Sequence, residues 1–166
     1  MTREGGCLCG AVRYEVRGPL REILVCHCSE CRRWAGRAAM FTASRNVDLE
    51  IRDNGHVVWI PSPRSEHRAS RGFCARCGAS LFWRAPGFDR TSIAAGTLDD
   101  PSGLRVAAHI WVEQGADWEH PSEGVQAYPR GYPADAPRLA WGLRATDSPG
   151  RVGACASSST RRRRSR

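Results

Sequence analysis

Seven of the eight cysteines in this chain fall into three tight groups: Cys7 with Cys9, Cys26 with Cys28 and Cys31, and Cys74 with Cys77. Thiolates clustered in this way bind soft cations, zinc above all, with bonds of about 2.3 Å and sulfurs roughly 3.8 Å apart around a tetrahedral ion. The first and third groups together supply four ligands from distant segments, as a closed structural site requires. The middle group supplies only three, which leaves an open position where a water or a thiol substrate can coordinate and react. The spacing therefore predicts two zinc ions per chain, one structural at Cys7, Cys9, Cys74 and Cys77, and one catalytic at Cys26, Cys28 and Cys31. It also leaves open a second structural zinc at the middle group, completed by a distant group such as His109 or an acid. His27 stands between two ligands and is expected to point away from them. A free thiol of pKa about 8.5 is only a few per cent ionised at neutral pH, so coordination raises the reactive fraction more than tenfold.

Other residues carry less. Arg32 and Arg33 follow the middle group and suit an anionic substrate, because a guanidinium pairs with a carboxylate through two parallel hydrogen bonds. No residue stands out as a general base, and water can carry the proton. His109 reads as a strand histidine bonded to a backbone carbonyl. Trp34, Phe73, Phe82, Trp83 and Trp111 read as core.

Strands must hold these groups. In 10–18, Val12, Tyr14 and Val16 alternate with Arg13, Glu15 and Arg17, the pattern of a half-buried strand. Similar signals recur at 22–25, 38–43, 47–51, 56–60, 79–84, 91–95 and 105–112, mostly separated by glycine, proline, serine or aspartate. A short helix is expected at 29–35, with Ser29 as its cap. Glycines beside Cys7 and Cys9, and Gly78 after Cys77, give the backbone freedom to wrap an ion. The expectation is one mainly β domain over 1–120, then a proline-rich extended segment over 121–146 packed on the domain or on a partner, then a disordered arginine-rich tail over 147–166. Cys155 lies alone in that tail and reads as a bystander.

A chain of 166 residues suits a single domain. No signal-peptide pattern or span of about 20 apolar residues is present, so a cytoplasmic protein without membrane contact is expected. In that reducing compartment clustered cysteines serve as metal ligands rather than as disulfides. The net charge of +8 is uneven. All 25 basic residues are arginine, and six of them lie in the acid-free stretch 151–166, leaving 19 against 17 acidic residues elsewhere. The body is thus nearly neutral, and specific nucleic-acid binding is not expected. A zinc-stabilised binding module whose basic tail meets an acidic partner is the alternative to an enzyme. A monomer and a homodimer are both compatible with the sequence.

The runs GGCLCGAVRYEVRG, CHCSECRRWAG, RGFCARCGASLFW, AAGTLDDPSG and HIWVEQGADW resemble the glutathione-dependent formaldehyde-activating enzyme family, which includes the centromere protein V domain. The resemblance covers roughly residues 3–120, with every cysteine group in order. It implies a zinc-bound β-tent of antiparallel sheets. Cys7, Cys9, Cys74 and Cys77 match the family's structural zinc ligands, and Cys26, Cys28 and Cys31 match those of its catalytic zinc. The implied reaction is the condensation of glutathione with formaldehyde to S-hydroxymethylglutathione, classed as a carbon-sulfur lyase. The implied partner is glutathione or another small thiol.

Overall fold

The computed structural model describes residues 2–142, and the expected tail with Cys155 lies outside them. Two sheets build the domain. The smaller has the order β1-β2-β5, from β1 (Arg3–Gly6), β2 (Arg13–Val16) and β5 (Leu49–Arg52). The larger contains β3 (Ile23–Cys26), β4 (Ala39–Arg45), β6 (Val57–Pro61), β7 (Ser70–Cys74), β8 (Ser80–Arg84), β9 (Arg90–Ala94), β10 (Val106–Ile110) and β11 (Gln126–Ala127). Its order is β11-β10-β3-β4-β9-β8-β7-β6. The single α-helix among the described residues, α1 (Ser29–Ala35), follows β3 directly.

Alternation drives the packing. Val12, Tyr14 and Val16 turn inward and are buried, and the Tyr14 ring meets Phe82 edge-on at 5.4 Å. Leu20, Leu81, Ile93 and Leu98 complete this core. On the outer face of the small sheet, Arg17 and Arg52 each pair with both Glu15 and Glu50 across β2 and β5. Ile23, Leu24 and Val25 are all buried, as befits a strand covered on both faces.

The structure differs from the sequence pattern at several points. Strands β1, β7 and β11 carried no signal: β1 is rich in glycine, β7 turns Arg71 inward, and β11 is only two residues long. The stretch 47–51 opens as a 3-10 turn, Asn46–Asp48, before β5 begins. The stretch 105–112 stops at Ile110, because Trp111 takes a left-handed conformation at φ 59°. Pairing is antiparallel except at β3–β10 and β10–β11, which are parallel. Residues 121–142 pack back on their own domain: β11 extends the sheet, Tyr128 N–H donates to the His109 carbonyl, and Glu22 N–H donates to the Ala140 carbonyl. None of the described helices is long and apolar enough to cross a membrane.

Candidate metal centres and the adjoining cavity

The first centre joins two turns. Cys7 and Cys9 leave β1, and Cys74 and Cys77 bracket the turn between β7 and β8. Gly10 and Gly78, at φ 76° and 74°, let the backbone curl so that its amides face the sulfurs. All four sulfurs lie within 4.8 Å of one another, with Cys7 to Cys9 at 3.6 Å and Cys9 to Cys74 at 3.8 Å. Those separations are the edges of a tetrahedron about a zinc-sized ion. Burial opposes ionisation of Cys7, but the Val12 N–H at 3.2 Å and the neighbouring cysteines hold its pKa down to about 6. A cation fits this donor set.

The second centre lies where β3 runs into α1. Cys26 ends the strand, Cys28 is the helix N-cap and Cys31 sits in the first turn, and their sulfurs also lie within 4.8 Å of one another. The cap is therefore Cys28 rather than Ser29: its sulfur accepts the Cys31 N–H at 3.4 Å. A thiolate at a helix N-terminus is stabilised by the free amides there. The Cys26 and Cys31 thiols and those amides hold the Cys28 pKa well below the usual thiol range. Among the described residues no histidine, acid or further cysteine joins this group.

His27 points away, as alternation requires. Its Nε2 lies 2.8 Å from Nδ1 of His109, and both rings are buried. Ser122 N–H donates to His109 Nε2 at 3.2 Å, which makes that nitrogen an acceptor and places the ring proton on Nδ1, aimed at His27. His109 is thus neither a ligand nor bonded to a carbonyl through its ring. The pair ties β3, β10 and the segment after His120 together behind the cysteines.

A cavity of about 740 Å³ opens in front of the three cysteines, all of which line it. Arg32 and Arg33 do not line it. An α-helix turns about 100° per residue, so with Cys31 facing the cluster the next two side chains face elsewhere. Guanidinium groups come instead from Arg21, Arg64, Arg71 and Arg90. Trp83 and Trp111, expected in the core, are half-buried and form cavity wall with Phe41, Phe88 and Tyr132. Trp34 and Phe73 are half-buried and stack edge-on at 5.7 Å, and only Phe82 is fully core.

Arg71 is the group closest to the chemistry that the sequence did not single out. It is 4% exposed; its Nη2 lies 3.6 Å from Cys31 Sγ and 3.8 Å from Glu30, and its Nε donates to Ser62 at 3.0 Å. Glu30 in turn accepts from Ser62 Oγ and from the Arg64 N–H, each at 2.9 Å. This network locks the loop at 62–64 to α1 and sets a positive charge against the Cys31 sulfur. No local pattern announces such an arginine, because its neighbours in sequence are not its neighbours in the site.

The profile of the glutathione-dependent formaldehyde-activating enzyme family matches residues 2–114. The chain belongs to that family. The match spans both cysteine centres and most of the cavity wall. Among solved structures, a Rhodobacter sphaeroides protein is similar at 19% identity and a TM-score of 0.47, over 75% of this chain and 98% of that one. The two cysteine groups that can hold metal ions agree with the zinc expected of the family.

Proposed function

We propose that the protein is a zinc-dependent carbon-sulfur lyase of the S-(hydroxymethyl)glutathione synthase type, acting in the reducing cytoplasm on glutathione or a similar thiol and a small aldehyde. The observation that carries this reading is three converging cysteine sulfurs without a fourth protein ligand among the described residues, on the wall of a cavity sized for a tripeptide. Zinc held by Cys26, Cys28 and Cys31 would supply a Lewis acid that lowers the pKa of the incoming thiol. Cys7, Cys9, Cys74 and Cys77 would hold the structural ion.

The chain's own residues do the rest. The cavity arginines attract the thiol's carboxylates, in place of Arg32 and Arg33, which face elsewhere. The aromatic walls formed by Trp83, Phe88, Trp111 and Tyr132 displace water from the reacting pair. Arg71 and the Cys28 cap fix the cluster. In the synthetic direction the thiolate sulfur forms a bond to the aldehyde carbon, the carbonyl electron pair moves to oxygen, and that oxygen takes a proton from water; the lyase direction is the reverse. Exchange NMR of glutathione with formaldehyde tests this. Zinc-loaded protein should accelerate adduct formation over the uncatalysed rate, and Cys28→Ser should abolish the gain. Zinc-loaded protein without acceleration would sink the proposal for this aldehyde.

A further inference from the structure

Arg21 stands just before β3, 7% exposed, and lines the cavity. Its Nε donates to the Glu22 carbonyl at 3.0 Å and its Nη2 to the Phe41 carbonyl at 2.9 Å. Those two carbonyls take two of its five N–H hydrogens and leave its charge uncompensated, and no acid among the described residues pairs with it. A buried ion without a counter-ion is costly in a folded protein. Burial pushes its pKa down to about 10, and the nearby charge of Arg90 pushes the same way. Arg90 also lines the cavity, over the Phe88 ring at 4.9 Å, and its one acidic partner among the described residues, Asp89, is an exposed neighbour at 3.5 Å. Both arginines thus line the one cavity, and its two lining acids, Glu30 and Glu66, are paired with neither of them among the described residues.

We propose that Arg21 and Arg90 form a subsite for a carboxylate of the thiol substrate. The placement fits that class. Phe41, whose carbonyl holds Arg21, lies two residues along β4 from Ala39, the partner of Cys26. At 3.4 Å per residue the carbonyl that holds Arg21 is about 7 Å along the sheet from the cysteines, and Arg90, opposite Arg45, starts four residues further along β4 and lines the same cavity. A carboxylate one or two peptide units from a cysteine thiol spans that distance at about 3.5 Å per residue. The planar fork of arginine binds a carboxylate in bidentate fashion. The substrate is then a short acidic peptide thiol rather than a neutral one. This inference rests on the thiol reaching the three-cysteine centre, and its test separates the two.

S-methylglutathione cannot donate a thiolate, so its binding reports the subsite without the chemistry. Calorimetric titration of the metal-loaded protein should give an affinity at least about tenfold higher for S-methylglutathione than for its diethyl ester. Arg21→Gln and Arg90→Gln should each remove most of that preference. Equal affinity for acid and ester, no binding of S-methylglutathione, or a preference undiminished in both variants would overturn the subsite. The wild-type comparison needs no variant, so it decides the matter even where Arg21→Gln folds poorly. Acid preference without accelerated formaldehyde exchange keeps the subsite and rejects the aldehyde reaction; acceleration with equal affinities does the opposite.

Discussion

Arg71 and Cys28 show how much rests on single side chains around the three-cysteine centre. Arg71 brings a buried positive charge to Cys31, while its Nη1 has no hydrogen-bond partner among the described residues. Replacing Arg71 with methionine should weaken metal binding at this centre by about 10- to 100-fold, and leave the four-cysteine centre unchanged, in competition with a chromophoric chelator. If Arg71 served only to neutralise Glu30, the double variant Glu30→Gln, Arg71→Gln would restore the affinity; we expect the loss to persist. Cys28→Ser is a clean probe for a different reason. Serine is a preferred N-cap, so the helix keeps its cap while the site loses a ligand. Elemental analysis should show metal content falling from two per chain to one with the circular dichroism unchanged, and two retained ions would remove Cys28 from the site. The cysteines were legible in the sequence because ligand spacing is a local property, and the outward turn of His27 follows from alternation. Arg21 and Arg71 were not legible. Burial of a single arginine depends on strands far apart in the chain, so the arginines nearest the middle cysteines, Arg32 and Arg33, drew the role instead.

At the level of elements, strong alternation marked β2, and the helix bounds at 29–35 matched. Weak patterns hid β1, although β1 is tightly fitted. A Cβ at Gly5 would collide with the Tyr14 hydroxyl and the Thr97 carbonyl. The glycine is required by close approach, since Tyr14 crosses beneath it to bond Thr97 Oγ1 at 2.8 Å. Gly5→Ala should cost about 1–3 kcal/mol in urea unfolding, through overpacking. Tyr14→Phe removes one hydrogen bond and should cost about 1 kcal/mol. Equal stability of Gly5→Ala and wild type would mean that β1 packs more loosely than this close approach implies. The parallel pairing of β3 with β10 was equally hidden, since it joins residues about eighty positions apart and leaves no trace in local periodicity.

On the scale of the whole molecule, the four-cysteine centre ties the first strand to the β7–β8 turn across more than sixty residues, and binding free energy there is folding free energy. Stripping metal with a strong chelator should lower the melting temperature by many degrees, and restored zinc should return it; an unchanged melting curve would make the centre dispensable. The second centre differs in kind, because its three cysteines come from one short stretch and line the cavity. The proposed chemistry depends on that difference, and cadmium-113 NMR of doubly loaded protein reads it at the metal itself. Two signals are predicted, one in the four-sulfur range that ignores glutathione, and one of three-sulfur character that moves to the four-sulfur range when glutathione is added. Two four-sulfur signals before addition, or a three-sulfur signal unmoved by saturating glutathione, would contradict it.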